Sequence, residues 1–246
     1  MRDDVDSDRS NEKPDFDSLL ADLFGLNIRG ARTLWDLLAR PKLVFESARV
    51  FDWRSRYTPT MRLAFSILTV FSLLSFFWAS EDGVLYQTLR LEFSKQFENY
   101  PNAPAIEEMM EAMFAAYNFI YPLTYLLVHS LAASVLFVWG RGTPWVARIR
   151  LYFGVASVGI AFATLSVFAI PFLSLNMIVI LTLLGFILSL MAYGVTFARG
   201  MSGAFSTIGL SVRALFVALF ITVVDFGVAY LTGRGAEMWA LFQLSL

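Results

Sequence analysis

The segment ITVVDFGVAY, residues 221–230, places one carboxylate, Asp225, among residues that otherwise suit lipid. A charged side chain at the centre of a membrane helix costs roughly 2.5–3.5 kcal/mol on insertion scales, so it needs a compensating contact. The helical face that carries this carboxylate is small and polar, and it comprises Ala218, Thr222, Asp225 and Ala229. Such a face favours contact with other helices over contact with lipid. Asp225 and Thr222 are therefore candidate functional residues.

A second polar face recurs at helical spacing earlier in the chain and contains Asn118, Tyr121, Tyr125 and His129. His129 is the single histidine of the sequence. If both segments span the membrane, we expect Asp225 and His129 to differ in depth by roughly 7 to 8 Å, at 1.5 Å per helical residue. A kink at Pro122, helix tilt, the Tyr125 hydroxyl or a water molecule would then have to close the gap.

Two hypotheses account for these residues. Asp225 and His129 form an ionisable pair, which works as a proton relay or as the floor of a substrate cavity. Alternatively, Asp225 is protonated or hydrogen-bonded and only fixes the register between helices, where an interhelical hydrogen bond contributes about 1 kcal/mol. The sequence favours the second hypothesis, because it shows no chain of further partners for a relay.

No other pattern in the sequence predicts chemistry. Phosphate-binding glycine loops, HExxH, nucleophile elbows and paired carboxylates are absent. With no cysteine and one histidine, a zinc site would depend on carboxylates. We therefore predict no catalytic residue, no metal, no cofactor and no nucleic-acid partner, and expect the lipid bilayer, other membrane proteins or a second copy as partners.

Composition indicates an all-α, polytopic membrane bundle. Apolar residues make up 57% of the 246 residues and charged residues 16%, which is unlike a water-soluble domain of this size. A membrane-spanning helix needs roughly 20 apolar residues. Five windows meet this need, and the predicted membrane domain, 62–246, has spans at 62–80, 113–139, 151–174, 177–197 and 214–232.

The N-terminal segments differ from the membrane domain. Residues 1–18 are acidic and polar, which predicts a disordered tail. Residues 19–61 contain short amphipathic helices with Lys and Arg, and Pro41 suits the first turn of one of them. These helices lie either in the headgroup layer or as a small helical cap on the cytoplasmic mouth of the bundle.

The positive charges predict the orientation. With the N-terminus in the cytoplasm, the C-terminus lies outside, and all but three of the 19 Lys and Arg residues lie on the inner side. The exceptions are Arg90, Lys95 and Arg234. Residues 81–112 then form an outer loop, in which apolar residues at every fourth position predict a helix.

Two faces of small residues are predicted to pack spans three and four together. One contains Ala156, Gly159, Ala163 and Ser166, and the other contains Thr182, Gly185, Ser189, Ala192 and Thr196. Small residues let helix backbones approach closely in lipid. We interpret both faces as packing surfaces and not as a substrate path.

The run TLWDLLARPKLVFESARVFDWRSRYTPTMRLAFS resembles the lead-in of an uncharacterised group of bacterial inner-membrane proteins with a domain of unknown function. The shared elements are Arg40 with Pro41, and Arg56, Tyr57 and Pro59 ahead of the first span. The segment AYGVTFARGMSGAFSTIGLSVRALFVALF resembles the last loop and helix of that group. The five-span plan is also similar in topology to the Yip family of membrane-trafficking proteins.

These observations predict a bacterial inner-membrane protein of non-enzymatic type, acting as a scaffold, assembly factor or accessory subunit. The alternative is a small transporter or permease subunit, proton-coupled through Asp225 and His129.

Overall fold

The computed structural model describes residues 28–50, 52–53, 56–78, 83–97 and 105–245. These residues are mainly helical and include no strand, which confirms the all-α prediction. The eight α-helices in this part of the chain are α1 (Ile28–Ala39), α2 (Pro41–Val50), α3 (Thr60–Trp78), α4 (Val84–Phe97), α5 (Ile106–Val135), α6 (Trp145–Ala169), α7 (Leu175–Gly200) and α8 (Thr207–Ser245), with a 3₁₀ turn, Ile170–Phe172, after α6. The predicted tail, 1–18, and residues 19–27 lie outside the described residues.

Three helices of the described ranges, α6, α7 and α8, are long and apolar enough to cross a membrane by length and composition. The sequence predicted five. The apolar stretch of α3 that meets the composition criterion is shorter, Thr60–Leu74. Helix α5 has 30 residues, but acidic residues in its first turns and the polar face along its middle dilute its apolar character.

Helix bounds differ from the predicted spans because helices continue beyond an apolar window when the next residues also pack. Helix α6 begins six residues before the predicted start at 151, and α5 ends at Val135 instead of 139. Helix α8 continues through Gly233 and Gly235 to Ser245, where Ala240 is buried. There it joins an apolar cluster with residues of α4 and α5, including Tyr86, Phe93, Met109, Met110 and Phe114.

Helix α6 is the central helix of the bundle. Every residue from 151 to 160 is buried, in a stretch that has two aromatic residues, Tyr152 and Phe153, followed by small and aliphatic side chains. Helices α3, α5 and α7 pack on α6, while α8 packs along α5 and α7. Helices α3, α5, α7 and α8 are thus grouped around α6. This arrangement brings side chains from all five helices close together in the interior of the bundle.

Helices α1 and α2 form a cap on one end of this bundle. They pack on α6 and α7 and bury Leu37, Val44, Phe45 and Ala48. Gly200 provides the space for Phe45, because a Cβ there would lie 2.5 Å from the aromatic ring. Helix α2 begins at Pro41, and the location of α1 and α2 in the headgroup layer or on the cytoplasmic mouth stays a prediction.

Arginine side chains hold the cap and the neighbouring loop through carbonyl groups at helix ends. Arg199 donates to the carbonyl oxygens of Leu38 (3.0 Å) and Ala39 (2.6 Å), where α1 ends. Arg150 reaches the Ala48 carbonyl at 3.4 Å near the end of α2. The last carbonyls of a helix lack partners within the helix and carry partial negative charge, so cations there are favourable.

Candidate intramembrane polar site

The carboxylate of Asp225, at the middle of α8, accepts hydrogen bonds from two tyrosines on two other helices. The Tyr125 hydroxyl of α5 donates to Oδ1 at 2.8 Å, and the Tyr193 hydroxyl of α7 donates to Oδ2 at 2.8 Å. Both oxygens therefore have a donor. Hydrogen bonds to a charged group contribute about 1.5–3 kcal/mol each, so this pair supports the ionised form.

His129 is fully buried and contacts the same carboxylate. Its Nε2 atom lies 3.3 Å from Asp225 Oδ1, although the ring is not aligned for a hydrogen bond. Its Nδ1 atom lies 2.8 Å from the Tyr152 hydroxyl of α6, and its ring stacks on Tyr125 with centroids 3.8 Å apart. The depth difference expected between Asp225 and His129 is thus closed, with Tyr125 in contact with both.

One arrangement of hydrogens gives every tyrosine hydroxyl of this cluster an acceptor, although His129 Nε2 then lacks an aligned acceptor. If the Tyr152 hydroxyl donates to Nδ1, the imidazole is neutral and carries its hydrogen on Nε2, facing Asp225. Each tyrosine hydroxyl that contacts the cluster then has an acceptor, and the carboxylate is ionised. The cluster as a whole carries a charge of −1 in this state.

Close helix packing positions the Tyr193 donor. A Cβ on Gly159 of α6 would lie 2.1 Å from the Tyr193 hydroxyl oxygen, so the residue at 159 must be glycine for the ring to take its place. Helices α6 and α7 are antiparallel neighbours joined by a short turn, which brings positions 159 and 193 to one level. Sequence analysis missed Tyr193 and Tyr152. Tyr193 could have been identified from its position opposite Gly159 in the predicted antiparallel pair of helices.

A cavity of about 310 Å³ adjoins the carboxylate. All five long helices α3, α5, α6, α7 and α8 contribute to its wall, and the Asp225 side chain is 28% exposed toward space beside it. The small faces of α6 and α7 line it as well as packing the helices, through Gly159, Ala163, Ser166, Thr182, Gly185 and Ser189.

The other candidate residues lie at different distances from the carboxylate. Thr222 lines the cavity, and its buried Oγ1 atom has no hydrogen-bond partner within the described residues. Tyr121 also lines the cavity and packs on Phe71, with ring centroids 5.4 Å apart. Asn118 does not line this cavity.

No fixed positive charge lines the cavity. Within the part of the chain that the structure describes, its wall includes neither Lys nor Arg, so an ionised Asp225 has no Lys or Arg counterion there. Within the described ranges, no group of three or more His, Cys, Asp or Glu residues could hold a metal ion.

A larger groove, about 780 Å³, lies between the far ends of α5 and α8 and contains none of the cluster residues. Its lining includes Glu108, Glu111 and Trp239. The hydrogen-bonded cluster around Asp225 adjoins the smaller cavity and not this groove.

No protein-family model matches the chain, and no curated protein or solved structure matches it significantly. The resemblances to the uncharacterised inner-membrane group and to the Yip family therefore stay predictions.

Proposed function

We propose that this chain is a five-span integral membrane protein that acts as a small transporter or permease subunit, proton-coupled through Asp225 and His129. The observation that carries the proposal is the position of the Asp225 carboxylate, which faces an open-sided cavity lined by five helices; among the described residues, neither Lys nor Arg lines this cavity. An uncompensated charge in this position is costly in lipid. The site is therefore sensitive to a proton or a cationic ligand.

The count of five spans is supported by how α3 and α5 pack. Helix α3 has 19 residues and α5 has 30, and helices of these lengths reach about 28 Å and 45 Å, compared with a hydrocarbon thickness of about 30 Å. Both helices line the cavity together with the three more apolar helices. Polar residues of α5 face the bundle, where Tyr125 and His129 are buried, so its moderate hydropathy does not oppose insertion.

The proposed orientation has the cap in the cytoplasm and the C-terminus outside, in a bacterial inner membrane. Support comes from the basic residues at the cap end, where Arg148, Arg150, Arg199 and Arg213 contact carbonyls of neighbouring segments. Positive charges flank spans mainly on the cytoplasmic side.

The scaffold function predicted from the sequence is the second candidate, and the outer surface of α7 favours it. Large apolar side chains on this helix are exposed, among them Ile180, Leu183, Ile187 and Met191. Such a surface suits lipid, another membrane protein or a second copy. A scaffold needs no water at Asp225, whereas transport does.

Cysteine labelling separates the two candidates, because the chain contains no native cysteine. Two matched pairs on α7 each compare a cavity residue with its neighbour on the exposed face: Thr182→Cys with Leu183→Cys, and Ser189→Cys with Leu188→Cys. A membrane-impermeant maleimide should label the cavity positions and not their neighbours. Ser94→Cys on exposed α4 provides the positive control. If Ser94→Cys reacts and both cavity positions stay unlabelled, the bundle is dry and the scaffold function replaces the transport function.

Proton flux provides the second test. Proteoliposomes with a trapped pH dye should dissipate an imposed pH gradient faster with the wild-type chain than with Asp225→Asn. Equal rates for wild type, Asp225→Asn and empty liposomes would remove the proton-coupled mechanism.

A further inference from the structure

We propose that the cavity binds an organic ammonium ion, a primary or secondary amine in its protonated form attached to an apolar body of about one or two rings, with Asp225 as its counterion. The inference rests on the proposed function and specifies its ligand class. Four observations on the cavity carry it.

The first observation is charge. With a neutral His129 and an ionised Asp225 the cluster carries a charge of −1, and no Lys or Arg among the described residues lines the cavity. Asp225 is partly exposed toward the cavity, while His129 is fully buried behind Tyr125. A cation in the cavity thus meets the carboxylate directly and the imidazole only through the cluster. Opposite charges attract strongly where water is scarce.

The second observation is the composition of the wall, which excludes a bare metal ion as the preferred occupant. Among the described residues, Asp225 is the only carboxylate of the lining, and most other lining residues are aliphatic or aromatic. Calcium needs six to eight oxygen ligands, and magnesium usually retains several waters. A wall of this kind instead suits a ligand that is mainly apolar and has one charged group.

The third observation concerns hydrogen bonds. Thr222 lies one helical turn before Asp225 on α8, and its Oγ1 atom is buried and without a partner within the described residues. Each Asp225 oxygen accepts from one tyrosine and retains a further acceptor site. A ligand with N–H donors uses the remaining acceptor sites of Asp225 and satisfies Thr222 as well once that hydroxyl rotates toward the cavity. A quaternary ammonium has no N–H group, so it pairs with the charge of Asp225 but donates no hydrogen bond.

The fourth observation is the aromatic wall and the size of the cavity. Phe71 with Tyr121, and Phe186 with Phe226, form two ring pairs with centroids 5.4 Å and 5.6 Å apart. All four residues line the cavity. Aromatic rings pack against an apolar ligand body and attract cations at their faces. The volume of about 310 Å³ is at the lower end of ligand pockets and limits the body to about two rings.

Binding of such an ion is linked to a proton. The titratable groups that face Asp225 are His129, Tyr125 and Tyr193, with Tyr121 and Tyr152 next to them. At a pH where the carboxyl is protonated in the empty cavity, the ammonium ion keeps its own proton and the carboxyl proton leaves to the aqueous phase, so one cation enters as one proton leaves. At a pH where the carboxylate is already ionised, the cation binds without release of a proton.

Calorimetry on the purified full chain in lipid nanodiscs tests the inference with three probes that share the same naphthylmethyl group. The probes are 1-naphthylmethylammonium, its N,N,N-trimethyl form and the neutral 1-naphthalenemethanol. We expect the primary ammonium to bind at least about tenfold more tightly than the alcohol, because only the ammonium pairs with the carboxylate. Its binding should release protons, in an amount that varies with pH and that is measured in buffers of different ionisation enthalpy.

Two variants locate the site. Asp225→Asn should remove the preference for the ammonium over the alcohol. Thr222→Val, which keeps the shape of the side chain, should weaken the primary ammonium about three- to tenfold and leave the trimethyl form unchanged. If Asp225→Asn does not fold, as judged by circular dichroism and gel filtration, Thr222→Val and the cavity-filling Ser189→Leu decide the question, since both leave the carboxylate in place.

The outcomes distinguish this inference from the proposed function. Equal affinities of the wild-type chain for the ammonium and the alcohol, or an unchanged affinity for the primary ammonium in both Thr222→Val and Ser189→Leu, would overturn the ammonium site. In that case, proton flux that still depends on Asp225 would leave the transport function standing with a different ligand. Absence of flux together with unlabelled cavity cysteines would overturn both.

Discussion

Gly159 and Tyr193 approach each other so closely across the α6–α7 pair that a Cβ at position 159 would lie 2.1 Å from the tyrosine hydroxyl oxygen. That hydroxyl is one of the two donors to Asp225. Gly159 on α6, which has no side chain, thus determines where the hydrogen bond between Tyr193 of α7 and Asp225 of α8 can form.

Gly159→Ala should therefore displace the Tyr193 ring and break its hydrogen bond to Asp225. We expect a loss of about 1–3 kcal/mol in the free energy of unfolding from overpacking, with a further loss from the missing hydrogen bond. Denaturant unfolding in detergent measures it. Gly227→Ala on α8 is the control, because a Cβ there has no neighbour within 4 Å. Equal stability of the two variants would mean that the close approach has no energetic consequence.

A double-mutant cycle measures the bond between Tyr193 and Asp225 itself. Tyr193→Phe should destabilise the wild-type protein by about 1.5–3 kcal/mol, since it removes a hydrogen bond to a charged group. The same change in an Asp225→Asn background should cost less, because the charge is gone. A coupling energy of about 1 kcal/mol or more is expected. Additive effects of the two substitutions would contradict the contact.

The sequence predicted the class of the fold because composition and helical periodicity are local properties. It also predicted that Asp225 faces the bundle, since a small polar face at helical spacing surrounds it. It could not predict that Tyr152 and Tyr193 join the site, because each lies in an apolar helix whose partner depends on the packing of the whole bundle. The contact between Asp225 and His129 was left open by the sequence, and the structure places Nε2 of His129 3.3 Å from Oδ1 of Asp225.

The attachment of α1 should depend on Arg199, whose guanidinium donates to the carbonyls of Leu38 and Ala39. Arg199→Lys keeps the charge but not the planar pair of donors, and Arg199→Ala removes both. We expect amide hydrogen exchange in residues 28–39 to be faster in both variants than in the wild type. The increase should be larger in Arg199→Ala than in Arg199→Lys. Arg141→Ala, an exposed loop residue, is the control. Unchanged exchange in Arg199→Ala would show that apolar packing alone holds α1.

The contact between the cap and the start of α3 should weaken at alkaline pH. The Tyr57 hydroxyl donates to the buried Asp36 carboxylate at 2.9 Å, and burial, followed by this hydrogen bond, raises the pKa of Tyr57 above its ordinary value of 10.0. The folded state therefore favours neutral Tyr57. Its contribution to stability is fully present below pH 10 and is lost as the pH rises through the higher, folded-state pKa.

Thermal unfolding followed by tryptophan fluorescence from pH 7 to pH 11 measures this effect. Wild type should lose stability at the alkaline end, and Tyr57→Phe should lose less there while being less stable at neutral pH. The neutral-pH cost arises because Asp36 then lacks one donor, while its described ion-pair partners Arg40 and Arg56 lie at 3.6 Å and 3.9 Å. Parallel pH profiles for the two proteins would assign the alkaline loss to other groups.

His129→Gln tests whether the imidazole takes part in proton coupling, and it tests this separately from ligand binding. Glutamine donates and accepts hydrogen bonds but does not titrate between pH 5 and 8, where histidine does. Because His129 lies behind Tyr125 and Asp225 faces the cavity, the variant should still bind 1-naphthylmethylammonium in preference to the alcohol. Its proton flux in proteoliposomes should fall, since the cluster has lost its second titrating group. A variant that loses the ligand preference but keeps the flux would reverse these two assignments, with His129 at the ligand and the proton path elsewhere.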